Sequence, residues 1–301
     1  MADPFTSQGA GRDVGAGFAG LLREWRNNGR ARVAIVMGIL NVTPDSFSDG
    51  GLFADESAAA THGKGLMKAG AAILDIRGES TRGDASPVSE EEEMRRVLPV
   101  VAALRSEKIL LSIDTMKAKV AEAALAGGAH IVNDVRGLQG DPGMADVAAN
   151  WGAGLVVMHN PGLLGSSRPI EGDPIAACLA FFKRSLDIAL PARVREDRIA
   201  LDPGFGFGKS PEQNLELLAR IDELGELGFP ILVGTSRKSF IGKFTGRETP
   251  NLLVGTIVTN VLAVLAGAAI IRVHDVAEHV AAIRMTAAIR AAGVAASRQS
   301  S

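Results

Sequence analysis

Polar residues of types that bind substrates recur at the ends of short apolar runs in this chain. They are Asn41, Asp75 with Arg77-Gly78-Glu79, Asp114, Asn133-Asp134, His159-Asn160, Asp202, Gly234-Thr235-Ser236, and Arg272 with His274. Any one of them reads as easily as a helix cap, but so regular a recurrence points to a fold that gathers strand ends in one place. Asp114, Asn133, Asp202 and Lys238 form a donor–acceptor array that suits a flat heterocycle with amide and amino edges better than a sugar or a lipid. The block Gly234-Thr235-Ser236-Arg237-Lys238-Ser239 precedes apolar Phe240-Ile241, as a loop entering a helix would, and such loops bind anions. Arg82, Arg272 and His274 are further candidates for gripping a polyanion.

Other motifs fail. The run from Gly204 to Ser210 ends like a phosphate-binding loop, but Pro203 stands at the required first glycine, and Lys209 at the last glycine of a dinucleotide fingerprint. His274 and His279 lack an HExxH frame, and His62 and His130 are isolated, so a protein-built zinc site is not expected. Ser46, Ser80 and Ser236 lack a GxSxG context. Lys238 beside Arg237 reads as an anion or carbonyl binder as readily as a Schiff-base nucleophile.

Composition narrows the class. The chain has 301 residues, 47% hydrophobic and 22% charged, with 32 basic against 34 acidic side chains, a balance that argues against nucleic-acid or acidic-membrane partners. Tyr is absent and aromatics make up 4%, which disfavours base-stacking surfaces. The single cysteine, Cys178, fits a reducing, cytoplasmic location and is expected to pack within a helix away from the strand ends. No signal-peptide pattern is evident in residues 1–30. Residues 252–271 are 20 positions without a charge, but Thr256, Thr259, Asn260 and Gly267 interrupt them, so a buried helix followed by a strand is expected rather than a membrane span.

The elements that position these residues alternate. Strands are predicted at 33–40, 72–76, 109–113, 130–133, 154–158, 198–201, 230–233 and 268–273, mostly as apolar runs typical of parallel strands buried on both faces. Helices are predicted at 90–104, opened by a Ser89–Glu92 capping box with Glu90 to Glu93 as a solvated start, and at 116–126, capped by Thr115 and stopped at Gly127-Gly128. Two more are expected at 174–195, broken near Pro191, and at 211–224. Eight strand–helix pairs fill the roughly 250 residues of a (β/α)8 TIM barrel. The alternative, an open doubly wound sheet, would carry a Gly-rich fingerprint after its first strand, where Asn41-Val42-Thr43-Pro44-Asp45 stands instead. The expectation is an α/β protein with one barrel domain at 31–292, a short N-terminal extension at 1–30 and a flexible tail at 293–301.

The motifs resemble those of the dihydropteroate synthases of the pterin-binding family. The run from Met37 to Gly51 (MGILNVTPDSFSDGG) looks like their first signature and Gly78-Glu79-Ser80-Thr81-Arg82 like their second. Ser112-Ile113-Asp114-Thr115, Asn133-Asp134, the run from Asp202 to Lys209, Ser236-Arg237-Lys238-Ser239 and Arg272-Val273-His274 follow in order, so the resemblance spans about 33–290. It implies that para-aminobenzoate displaces pyrophosphate from 6-hydroxymethyl-7,8-dihydropterin pyrophosphate, with Mg²⁺ as cofactor, in a homodimer to which the apolar helix at 251–266 contributes. It also implies residue roles. Asp114, Asn133, Asp202 and Lys238 would bind the pterin edge, with Met158 and Arg272 on its faces and Phe207 and Gly234 lining the site. Asn41 would help hold Mg²⁺. Arg82, Arg272 and His274 would meet the diphosphate, Thr81 and Ser239 the para-aminobenzoate, and Phe47 would belong to a mobile first loop. Asp114, Lys238, Arg272 and His274 would be the catalytic set.

The second loop departs from the family pattern Asp-Ile-Gly-Gly-Glu-Ser-Thr-Arg-Pro-Gly: Arg77 replaces the first glycine, Gly83 the proline and Asp84 the next glycine. Glycine for proline should loosen the open loop and weaken sulfonamide binding relative to a proline-containing homologue. His159-Asn160-Pro161-Gly162 also departs from the pattern after the fifth strand. Two other readings are a catalytically silent pterin-binding homologue and a methyltetrahydrofolate-dependent methyltransferase; the latter has no use for Arg82 and His274.

Overall fold

Each apolar run becomes a strand of one parallel sheet: β1 (Ile35–Asn41), β2 (Ile73–Arg77), β3 (Leu110–Asp114), β4 (Ile131–Asp134), β5 (Gly154–Met158), β6 (Ile199–Asp202), β7 (Leu232–Val233) and β8 (Ile270–Val273). These come from a computed structural model that describes residues 13–29, 33–42, 51–79, 87–164, 169–247 and 252–299. The strand order β6-β5-β4-β3-β2-β1-β8-β7 is closed by a parallel bridge between Leu201 and Ile231, which makes a barrel and excludes the open sheet. The helices are α1 (Ala16–Asn27), α2 (Gly51–Lys68), α3 (Glu90–Leu104), α4 (Ala118–Gly127), α5 (Met144–Asn150), α6 (Pro174–Ala189), α7 (Pro211–Ala219), α8 (Ser239–Thr245), α9 (Leu253–Leu265) and α10 (Val276–Gln299).

Two-residue alternation sorts the strand side chains into two cores. Leu74, Ile76, Leu111, Ile113, Leu155, Val157, Ile271 and Val273 point outward and pack beneath the helices. Ile35, Met37, Ile73, Ile131, Val156, Ala200, Leu232 and Ile270 fill the barrel, together with Phe18 and Leu22 of α1. Helix α1 therefore plugs the barrel's N-terminal mouth, and the Gly15 N–H donates to the Gly152 carbonyl at 2.9 Å. Gly154 must lack a side chain, because a Cβ there would sit 2.5 Å from the Phe18 ring. With that end filled by apolar side chains, polar inward positions remain at the C-terminal ends of the strands.

Several local expectations change. Ser89 does cap α3, accepting from the Glu92 N–H at 3.2 Å, but the Glu92 carboxylate bonds Arg95 and Arg96 instead of completing a box. The start of α3 is not wholly solvated: Glu93 is buried and receives the Lys117 ammonium at 2.6 Å. Helix α4 begins two residues later than expected. Thr115 Oγ1 accepts only from Lys117 N, while Asp141 Oδ2 accepts from Ala118 N at 2.8 Å. Helix α6 stops at Ala189, near the expected break at Pro191 but without resuming to 195, and α7 ends at Ala219 with a 3-10 turn following at Ile221–Leu227.

The 252–271 stretch is a helix and then a strand, and no described helix is long and apolar enough to cross a membrane. The helix is not buried in the way its composition suggests. Its polar residues Thr256, Thr259 and Asn260 face inward, while Val254, Val258, Leu262 and Leu265 are exposed, beside exposed Met285 and Ile289 of α10. The reason is a contact between distant segments: Thr235, just past β7, bonds Thr259 Oγ1 at 2.8 Å and Asn260 Oδ1 at 3.0 Å, so the polar stripe of α9 anchors the loop carrying Lys238.

Candidate active site

The strand ends place one polar row around the C-terminal rim. The ladders pair Asn41 with Arg77, Arg77 with Asp114, and Asp114 with Asn133. These residues are the last inward positions of β1 to β3 and of β4, which reads as a continuation of the apolar alternation below them. A cleft at that rim is lined by Arg77, Asp114, Asn133, Met158, Asp202, Phe207, Gly234, Lys238 and Arg272, among others. All of these except Arg77 were expected from the sequence to touch substrate.

At the centre of the cleft lies a cation held between two carboxylates. Arg272 Nε donates to Asp75 Oδ2 and its Nη2 to Asp114 Oδ2, each at 2.6 Å. Asn133 Nδ2 donates to Asp75 Oδ2 at 3.0 Å. Asp75 was noted only as a strand-end residue, yet it is fully buried and organises both Arg272 and Asn133. Its signal in the sequence was the inward register Ile73, Asp75, Arg77. Buried acceptor atoms Asp75 Oδ1, Asp114 Oδ1 and Asn133 Oδ1 find no hydrogen-bond partner among the described residues. Unmatched acceptors of this kind are costly unless a ligand supplies donors.

Burial raises the Asp114 pKa well above the usual carboxylate range, with Arg77 and Arg272 pulling it back; burial also raises Asp202, whose Oδ1 accepts from Gly204 N at 2.7 Å. Burial, with Arg272 and Arg77 nearby, lowers Lys238 to about 7. Its ammonium lies 3.8 Å from the centre of the Phe207 ring, a cation–π contact. The turn that presents Phe207 is fixed by Lys209, whose Nζ donates to the Gly204 and Phe207 carbonyls at 3.0 and 3.1 Å. Gly204 adopts φ +65°, and a Cβ there would meet the His159 carbonyl oxygen at 2.1 Å, so only glycine fits. Arg237, also at positive φ (57°), is turned away from the cleft and chelated by Asp275, at 2.6 Å for its Nη2. That fork and the kinked backbone set the direction of Lys238.

Other expected residues stand at the periphery. Asn41 ends β1, and Ser239 is exposed at the start of α8. His274 Nδ1 lies 2.9 Å from Ser236 Oγ, and burial beside Arg237 and Arg272 lowers its pKa to about 3, so it acts as a neutral ring near pH 7. Phe47, Thr81, Arg82, Gly83 and Asp84 lie outside the described residues. Cys178 packs as expected in α6, but not away from the strand ends: its Sγ is 3.3 Å from His159 Nδ1, just past β5, and 3.8 Å from the Pro203 carbonyl. Burial pushes this thiol up to about 12, so it is inert rather than nucleophilic.

The base of the second loop is clamped by charge. Lys117 Nζ donates to Glu79 and Glu93 at 2.6 Å each and to the Val88 carbonyl at 2.7 Å, and Glu79 Oε1 accepts from Val88 N at 3.1 Å. Residues 79 and 88 bracket the segment that contains Thr81 and Arg82. Lys117→Met would leave two carboxylates uncompensated and is expected to cost about 2–3 kcal/mol of stability, below the range for a fully buried pair because Lys117 is partly exposed. Denaturant titration checks the cost, and a loss below about 0.5 kcal/mol would contradict a clamping role.

A closed barrel whose C-terminal rim gathers buried acceptors, two arginines and a lysine has the architecture in which barrel enzymes build their active sites. The family model described as pterin binding enzyme matches residues 37–274, and the chain belongs to that family. It is 45% identical over 253 residues to the dihydropteroate synthase of Clostridium beijerinckii, covering 83% of this chain and 92% of that one. A dihydropteroate synthase from Clostridium difficile, solved in the presence of pteroic acid, superposes with a TM-score of 0.82 at 48% identity over 86% of this chain and 97% of that one. The Xanthomonas albilineans dihydropteroate synthase with 4-aminobenzoic acid gives 0.82 at 44% identity over 87% and 94%. These relatives are transferases, and the barrel expected from the sequence is theirs.

Proposed function

We propose that this chain condenses 6-hydroxymethyl-7,8-dihydropterin pyrophosphate with para-aminobenzoate to give 7,8-dihydropteroate and pyrophosphate. The observation that carries this reading at the site is the pairing of Arg272 with Asp75 and Asp114. A pterin's 2-amino pyrimidine edge is itself a guanidine fragment. A pair of carboxylates that holds a flat guanidinium offers acceptors of the same spacing to that edge. As the pterin enters, Arg272 would leave Asp114 for the ring face. Asn133 and Asp202 would complete the edge, Lys238 would donate to the ring carbonyl, and Met158 and Phe207 would supply apolar walls.

Asn41 is the candidate Mg²⁺ ligand. Among the described residues no group of three or more His, Cys, Asp or Glu is arranged to hold a metal, and a single amide oxygen fits a cation that keeps its waters and binds through substrate phosphates. When bound, Mg²⁺ would neutralise charge on the departing pyrophosphate. Arg82, Arg272 and neutral His274 would bind that same group. Ionised Asp114 would stabilise positive charge that develops on the pterin as the C9–O bond breaks. The aryl amine is already unprotonated near pH 7 and needs positioning, for which Thr81 and Ser239 are the candidates, rather than a general base. A second copy of this chain would cover Val254, Val258, Leu262 and Leu265, an apolar face that supports the homodimer.

Labelled para-aminobenzoate tests the reaction: the label should enter a product that co-migrates with dihydropteroate only when dihydropterin pyrophosphate is present, and pterin binding without incorporation would favour the silent homologue. Ligand affinity should depend on pH in a defined sense. Binding of 6-hydroxymethylpterin should strengthen as pH rises from about 5, because Asp114 and Asp202 accept best when ionised and their raised pKa values delay ionisation. It should weaken as pH rises through about 7, where Lys238 loses its charge, and Lys238→Gln should flatten that alkaline limb. A calorimetric series flat from about pH 5 to 9 would contradict both assignments.

A further inference from the structure

We propose that Arg77 is a substrate-binding residue of this chain that grips the diphosphate of the pterin substrate, at a position where the related pattern has glycine. The register places Arg77 between Asn41 and Asp114, that is, between the candidate metal ligand and the candidate pterin-edge acceptor. It occupies an inward position at the end of β2 and lines the cleft. Its Nε donates to the Glu79 carbonyl at 2.9 Å, so the side chain is tethered to the base of the second loop. The same Nε is 3.9 Å from Asp114 Oδ2.

Two points separate this role from a purely structural ion pair. Asp114 makes its close ion pair with Arg272 at 2.6 Å, whereas the Arg77 Nε stands 3.9 Å away and adds a through-space attraction. The side chain also keeps 16% of its surface exposed at the cleft, unlike the carboxylates beneath it. Without Arg77, the cleft lining would set Arg272 and Lys238 against Asp114 and Asp202, with no net positive charge to face a polyanionic substrate. Arg77 makes the lining net positive, and the planar fork of a guanidinium matches the geometry of phosphate oxygens.

The inference rests on the proposed reaction for the identity of the ligand, and its test uses ligands that separate the two. Inorganic pyrophosphate and 6-hydroxymethylpterin would be titrated calorimetrically into the full-length protein and its Arg77→Gln and Arg77→Lys variants, with and without Mg²⁺. Arg77→Gln should weaken pyrophosphate binding at least about tenfold and flatten its salt dependence, leave hydroxymethylpterin within about twofold, and raise KM for dihydropterin pyrophosphate but not for para-aminobenzoate. Arg77→Lys should recover part of the loss and guards against a folding defect in the first variant. Unchanged pyrophosphate binding would overturn the proposal, as would equal weakening of both ligands, which marks a role in shaping the pocket. Pyrophosphate binding that depends on Arg77 in a wild-type protein that forms no dihydropteroate would sustain the anion site and overturn the synthase reading.

Discussion

Asp114→Asn is expected to lower kcat/KM for dihydropterin pyrophosphate by about 10²–10³-fold while the protein stays folded. The substitution keeps the shape of the side chain and removes its charge. The pterin edge then loses a charge-assisted hydrogen bond, worth roughly 1.5–3 kcal/mol. Any positive charge developing on the pterin also loses an anion beside it, and one preorganised electrostatic contact of this kind is worth about 10²–10³ in rate. An amide at this position further presents an N–H₂ group toward Arg272, which now bonds Asp114 at 2.6 Å. Steady-state kinetics with a melting curve as control would decide it. A loss below about fivefold in a folded variant would mean that Asp114 is not in contact with the reacting pterin.

Arg272→Ala should cost about 3–5 kcal/mol of stability near neutral pH, because it leaves Asp75 and Asp114 as buried carboxylates without their guanidinium. The sign of the pH dependence follows. Burial already raises the Asp114 carboxyl above the usual range and loss of Arg272 would raise it further, so the penalty is fully present above the variant's folded value and disappears as acid protonates the group. Denaturant titrations should therefore show the deficit relative to wild type shrinking between about pH 7.5 and 5. A deficit that is constant across that interval, or smaller than about 0.5 kcal/mol, would show that the guanidinium is not what holds this pair of charges.

The fold was legible from the alternation of apolar runs with helical segments, since a parallel barrel buries both faces of every strand and leaves an apolar signature. The expected ends of β5, β7 and β8 match the structure, and the other five fall one residue short. The apolar pattern stops at Asn41, Arg77, Asp114 and Asp202, but ladder hydrogen bonding is indifferent to the side chain, so these residues belong to the strands. The site was legible for the same reason, because polar side chains interrupted the runs at their C-terminal ends. What the pattern did not carry was who binds whom. Asp75 looked like one polar residue among several, and its hold on Arg272 depends on β8 pairing beside β1, while its hold on Asn133 depends on the curvature that turns β2 and β4 toward one interior.

Long-range pairing explains the other misses. Glu93 looked solvated because its partner Lys117 lies on the next strand–helix connection. Helix α9 looked buried because its apolar content is high, whereas Thr259 and Asn260, which bond Thr235, and Thr256, which accepts from Arg237 N, decide which side turns inward. Composition ranks a helix by how much apolar surface it has, and here hydrogen bonds to the Lys238 loop determine the orientation.

The measurement that bears most directly on the proposed reaction is pyrophosphate release from dihydropterin pyrophosphate with Mg²⁺, followed with and without para-aminobenzoate and matched against dihydropteroate formed. One pyrophosphate per dihydropteroate, with release dependent on the amine, is the expected result. Pyrophosphate release without dihydropteroate, or tight pterin binding with neither product, would contradict it and place this barrel among pterin binders that do not condense the two substrates.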